Sequence, residues 1–69
     1  MNTKYFALLA RARRTQAEVY RIEAEAVAHD PYISEGSRSH ERSRYLELAA
    51  SYEQMAAQYT NLAQEGTTR

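Results

Sequence analysis

Residues 45–65 form three consecutive heptads, YLELAAS, YEQMAAQ and YTNLAQE. Each heptad begins with Tyr and has Leu or Met in its fourth position and Ala in its fifth. Because two turns of an α-helix take about seven residues, this repeat places the Tyr and the Leu or Met side chains along one face of a helix. In a chain of 69 residues, the repeat predicts a long helix with a second helix packed beside it.

Helix-breaking residues divide the chain into two helices. Pro31 and Gly36 lie close together, and the segments on either side are rich in Ala, Glu, Arg and Leu, which favour helix. We predict a first helix over about 3–29, a loop over about 30–37 with Ser37 as the cap, and a second helix over about 38–65 that ends before Gly66. A loop this short makes the helices antiparallel neighbours. The predicted fold is an all-α, coiled-coil-like antiparallel two-helix hairpin, with residues 1–69 as a single domain.

The first helix contains an apolar heptad stripe that we expect to face the Tyr and Leu/Met stripes of the second. Its members are Tyr5, Leu8, Ala12, Thr15, Val19, Ile22, Ala26 and His29. In this alignment the numbers of facing residues add up to 67, so that Thr15 lies opposite Tyr52. Three flanking pairs of opposite charge agree with the alignment: Lys4 with Glu65, Glu25 with Arg44, and Glu23 with Arg42.

A second apolar stripe on the first helix is left without a neighbour in this arrangement. Since a helix that is apolar over much of its circumference expects neighbours on more than one side, we predict an oligomer, most simply a twofold dimer that forms a four-helix bundle. The alternative is that its alanines only favour helix on a solvated face. The predicted oligomer interface is Phe6, Ala17, Tyr20, Ala24 and Val27, with the alanines beside the second helix's seam.

Residues without a predicted partner within the hairpin are the candidates for binding another molecule. They are Arg13, Arg14, Arg21, Tyr32 and Arg38. Arg and Tyr are enriched at the binding hot spots of protein interfaces. We therefore expect a small non-enzymatic interaction protein, such as an adaptor, inhibitor or regulator, that binds another protein as a homo-oligomer. The alternative is an oligomer that binds RNA or a nucleotide with Arg and Tyr side chains, although the net charge of zero argues against broad nucleic-acid binding.

The sequence offers little for catalysis or cofactor binding. It contains no Cys, and no Gly-rich phosphate loop or catalytic constellation is recognisable, so we expect neither an enzyme nor a cofactor. Glu25 and His29 have the i, i+4 spacing that a metal can use, but further ligands are missing and we expect no metal. The apolar run from Tyr5 to Ala10 is too short to cross a membrane, so we expect a cytoplasmic protein without a membrane partner.

Overall fold

A computed structural model of the chain describes the backbone of residues 3–68 and the side chains of residues 3–65. It consists of helix α1, Thr3–Ala28, and helix α2, Glu35–Thr68, joined by the link 29–34. The helices pack against each other along their length, and the hairpin measures 53 × 13 × 11 Å. The prediction of an all-α antiparallel hairpin is confirmed.

Alanines spaced by seven residues form the core of the hairpin. Ala10, Ala17 and Ala24 of α1, and Ala49 and Ala56 of α2, are each at most 3% exposed. In the described part of the chain, these are the buried residues. Because the distance between two packed helices depends on the side chains at their contact, this alanine row allows a close approach.

Aromatic rings lie beside the alanine row. Tyr20 of α1 stacks between Tyr45 and Tyr52 of α2, at ring-centroid distances of 6.0 and 5.5 Å and interplanar angles of 25° and 10°. Phe6 stacks on Tyr59 at 6.3 Å. Near-parallel aromatic pairs at these distances contribute about 0.5–1.5 kcal/mol each beyond their buried area. The Tyr repeat of α2 therefore stacks with aromatic residues of α1 at two levels of the hairpin.

The predicted packing face of α1 is wrong. Tyr5, Leu8, Val19 and Ile22 were expected inside the hairpin, but they are 62%, 49%, 50% and 63% exposed. Three of them, Leu8, Val19 and Ile22, lie two residues after residues that contact α2, which is a rotation of about 200° at 3.6 residues per turn. α1 has two heptad stripes. The stripe with Ala10, Ala17 and Ala24 lets the backbones approach, while the stripe with the bulkier Leu8, Val19 and Ile22 faces outward.

Individual pairs of residues that were predicted to face each other also differ from the prediction. Thr15 is exposed and its hydroxyl donates to the Arg11 carbonyl at 3.0 Å, while Tyr52 stacks on Tyr20 instead. On α2, Met55 and Leu62 are more than one-third exposed because the alanines take their place. The lengthwise alignment is close to the prediction, since the numbers of residues in contact between the two helices add up to values between 65 and 74.

The start of α2 differs from the prediction by three residues. The Ser34 hydroxyl oxygen accepts a hydrogen bond from the Ser37 backbone N–H at 3.4 Å, which is the bond that an N-cap residue makes to the first turn. Ser34 is therefore the cap, and Ser37 and Gly36 lie inside the helix. α1 ends at Ala28 instead of 29, and α2 continues past the predicted end at 65 to Thr68.

Asp30 organises the link between the helices. Its carboxylate accepts a hydrogen bond from the Tyr32 backbone N–H at 2.9 Å, and its backbone carbonyl accepts one from the Arg38 guanidinium at 3.0 Å. The Asp30 backbone N–H itself donates to the Val27 carbonyl at 3.2 Å, which continues the last turn of α1. These bonds tie the link to both helices.

Enlarging a core alanine should destabilise the hairpin. We expect Ala17→Leu to lower the free energy of unfolding by about 1–3 kcal/mol, because the larger side chain forces the helices apart. Urea denaturation followed by circular dichroism measures the change. The matched control is Ala50→Leu on the exposed side of α2, for which we expect a change within about 0.5 kcal/mol. Equal effects of the two substitutions would contradict the assignment of the core.

Candidate interaction surfaces

Two of the arginines selected as candidate binding residues donate hydrogen bonds within the hairpin. The Arg13 guanidinium donates to the Gln16 side-chain oxygen at 2.6 Å. The Arg14 guanidinium donates to the Thr60 hydroxyl oxygen of α2 at 2.7 Å. Both arginines therefore have an intramolecular partner, which the sequence analysis did not foresee.

The other two candidate arginines are also engaged. Arg21 forms an ion pair with Glu53 of α2 and lies 3.9 Å from Glu18 on its own helix. Arg38 binds the Asp30 carbonyl. The prediction that these arginines lack partners within the hairpin is wrong. The partners of Arg14 and Arg21 lie on α2 and depend on which face of α1 packs against it, whereas Arg13 and Arg38 bond within α1 and to the link.

Tyr32 is the candidate binding residue that projects farthest into solvent. It lies at the tip of the hairpin and is 95% exposed, while its backbone N–H is held by Asp30. A Tyr side chain supplies a large contact area at little cost in conformational entropy, since it has two rotatable torsions. Of the five candidate binding residues, Tyr32 keeps its side chain most available to another molecule.

Four of the five residues of α1 that were predicted to form the oligomer interface contact α2 of the same chain or are covered by it. Ala17 and Ala24 are completely buried there, Phe6 and Tyr20 stack on tyrosines of α2, and Val27 is half-buried. The prediction is corrected for Ala17 and Ala24, which α2 already covers. Phe6 and Tyr20 likewise direct their rings at α2 and not away from it.

The outer face of α1 carries the apolar side chains that the hairpin leaves uncovered. We call Tyr5, Leu8, Val19 and Ile22 the outer stripe; each is about half exposed or more. Leu8, Val19 and Ile22 lie about 200° around the helix from Phe6, Ala17 and Tyr20 of the α1–α2 contact, so the outer stripe is turned away from α2. Apolar patches of this kind usually mark an interface.

One edge of the hairpin is polar. Arg14 and Arg21 of α1 lie here beside Thr60 and Glu53 of α2. An open groove of 440 Å³ follows this edge, lined by Arg14, Glu53, Ala56, Ala57, Thr60, Asn61 and Gln64. The groove offers hydrogen-bonding groups of both charges, and three of its side chains, Arg14, Thr60 and Glu53, are already bonded across the hairpin.

The opposite edge carries exposed apolar side chains of α2. Met55 and Leu62 come two residues after Glu53 and Thr60, so they lie on the other side of α2 from the polar edge, and they are 38% and 39% exposed.

A single ion pair near the tip joins the helices, in a pairing different from the predicted ones. Arg42 lies 3.9 Å from Glu25, whereas the predicted pairs were Arg42 with Glu23 and Glu25 with Arg44. His29 Nε2 is also 3.9 Å from Glu25. Among the described residues, no group of three His, Asp or Glu side chains could hold a metal ion.

Neither α1 nor α2, over the residues described, has the length and apolar character needed to cross a bilayer. Comparison with known proteins found no matching protein family, no matching curated protein and no matching solved structure. A two-helix hairpin fixes no activity by itself.

The Arg21–Glu53 ion pair should contribute little stability. Both side chains are about half exposed, and such pairs contribute about 0.2–1 kcal/mol. We expect a double-mutant cycle of Arg21→Ala and Glu53→Ala to give a coupling energy in this range that falls as salt is raised. A parallel cycle with Arg21→Ala and Glu47→Ala, which do not form a pair, is the control and should give no coupling. A coupling that is unchanged in 1 M salt would contradict a solvent-exposed pair.

Proposed function

We propose that this chain is a non-enzymatic interaction protein, an adaptor, inhibitor or regulator in the cytoplasm, that binds another protein as a homo-oligomer. The observation that carries the proposal is the outer stripe of α1, in which Tyr5, Leu8, Val19 and Ile22 are exposed in a row. The simplest oligomer is a dimer in which two hairpins form a four-helix bundle.

The thinness of the hairpin core supports the homo-oligomer. The fully covered side chains in the described part of the chain are alanines, and the chain has no Cys for a disulfide. A chain below about 70–80 residues rarely gains more than about 3–5 kcal/mol from its own core, and association is one of the usual ways to add to it. Covering the outer stripe would contribute about 25 cal/mol for each Å² of apolar surface removed from water.

Tyr32 is the residue that we propose for contact with the other protein. The tip is held by the Asp30 hydrogen bonds, so little backbone ordering is needed on binding. Fixing a binding loop in advance lowers the entropic cost of association. Tyr32 lies at the tip, beyond the end of the outer stripe at Ile22. A homo-oligomer that forms through the outer stripe therefore leaves Tyr32 available.

The intramolecular bonds of Arg13, Arg14, Arg21 and Arg38 favour this proposal over RNA or nucleotide binding. A phosphate would have to compete with acceptors that these guanidinium groups already have. The net charge of zero adds no long-range attraction for a polyanion. Nucleic-acid binding is the outcome that would contradict the proposal.

The oligomeric state provides the first test. We expect light scattering at micromolar concentration to give twice the mass of one chain. Val19→Arg should shift the protein to the mass of one chain, because it buries an unpaired charge in the contact. The control, Ala50→Arg on the exposed side of α2, should leave the mass unchanged. A wild-type protein that is folded and monomeric would contradict the homo-oligomer.

The partner provides the second test. We expect affinity purification from the source cells to recover a protein that remains bound after nuclease treatment. Tyr32→Ala should weaken this binding by about 30-fold or more, as expected for a hot spot of about 2 kcal/mol, while helicity stays unchanged. Loss of every partner after nuclease treatment, or binding that weakens steeply with salt, would instead indicate nucleic acid.

A further inference from the structure

We propose that a second copy of the chain binds the outer stripe with its own outer stripe, so that the two α1 helices pack antiparallel about a twofold axis near residues 13 and 14. The inference rests on the homo-oligomer proposed above and specifies which helices meet, in which direction and in which alignment. Its evidence is a row of charges beside the outer stripe.

Four charged residues of α1 are spaced by seven and follow the outer stripe. They are Lys4, Arg11, Glu18 and Glu25, and all four are exposed. The order of charge along the row is positive, positive, negative, negative. A heptad-spaced row keeps to one side of a helix, and these residues directly precede Tyr5, Ala12, Val19 and Ala26.

This order of charges is complementary to itself in one direction. When two copies of α1 run antiparallel, Lys4 of one copy lies beside Glu25 of the other, and Arg11 lies beside Glu18. Each pair occurs twice because of the twofold axis. When the two copies run parallel and in register, the two charge rows lie on opposite sides of the contact, so these opposite-charge pairs cannot form. Flanking charges of this kind set the direction and alignment of paired helices.

The apolar residues independently require almost the same alignment. Tyr5 of one copy faces Ile22 of the other and Leu8 faces Val19, so that bulky side chains pair at both ends of the contact. The small residues Ala12 and Thr15 then face each other near the axis. The charge pairs and the apolar pairs place the twofold axis at slightly different positions along α1. The two positions differ by about one residue, or about 1.5 Å.

The hairpin leaves the acidic half of the charge row accessible. Glu18 is 71% exposed and 3.9 Å from Arg21, and Glu25 is 68% exposed and 3.9 Å from Arg42. These separations are at the long limit of an ion pair, so a cation from a second copy can approach the outward side of either carboxylate.

α2 is a poorer counterpart for the outer stripe. Its outward row at the same heptad spacing is polar, and its members are His40, Glu47, Gln54 and Asn61. The exposed apolar residues of α2, such as Met55 and Leu62, lie at the edge of the hairpin. The α1–α1 contact therefore pairs the most apolar exposed faces and leaves the α2 helices outside.

Disulfide trapping tests the direction of the pairing. The chain has no native Cys, so Leu8→Cys and Val19→Cys can be made separately, mixed, allowed to exchange and oxidised. Both positions are exposed in the hairpin, so the fold is retained, which circular dichroism verifies. We expect the mixed disulfide between the two variants to dominate. Faster crosslinking of L8C with itself would indicate parallel helices and would overturn the proposal.

Charge reversal tests the alignment. We expect Arg11→Glu to weaken dimerisation by about tenfold, since it places two carboxylates together on each side of the axis. The double variant R11E/E18R should restore most of the affinity. Glu47→Arg on the outward face of α2 is the control and should have no effect. Failure of the double variant to recover, with its helicity intact, would overturn the pairing.

The outcomes separate this inference from the function on which it rests. A dimer whose crosslinks do not join Leu8 to Val19 overturns the α1–α1 pairing and leaves the homo-oligomer standing. A wild-type monomer that still binds a protein through Tyr32 overturns the pairing and the homo-oligomer, but not protein binding. A monomer without a Tyr32-dependent partner overturns the proposed function as well.

Discussion

The close approach of the two helices at the alanine row determines how the other residues are arranged. An alanine has no atoms beyond Cβ, so Ala10, Ala17 and Ala24 leave no room for a large side chain between the backbones. The tyrosine rings therefore lie beside the contact and stack nearly flat on one another. Leu8, Val19 and Ile22 of α1 remain on its outer face, where they are exposed.

The positions of the helices could be read from the sequence because their signals are local. Pro31 and the long segments without breakers are sufficient to indicate two helices and a short link. The N-cap residue of α2 was harder to predict, since Ser34 and Ser37 are both good capping residues three positions apart. The choice between them depends on where the chain turns, which hydrogen bonding around Asp30 decides.

The packing face of α1 could not be read in the same way. Both stripes of α1 have heptad spacing, and the stripe with Leu8, Val19 and Ile22 can be aligned with the Tyr and Leu/Met stripes of α2. Such an alignment selects the wrong face, because it ignores how closely two helices can approach when alanines line the contact. The error affected the site residues: Phe6 and Tyr20 were assigned to a second copy, and the contact of Arg14 with Thr60 was missed.

The geometry of the tip has a consequence for avidity. In an antiparallel dimer centred near the middle of α1, the two Tyr32 side chains lie at opposite ends of an assembly about as long as the 53 Å hairpin. Such an assembly is stiff and presents two binding residues at a fixed separation. Binding of the second Tyr32 is favoured by a high effective concentration only on a target whose two sites are separated by a similar distance, and not where the sites are closer or farther apart. The length of the helices would then determine which spacing of binding sites on the target allows both Tyr32 side chains to bind at once.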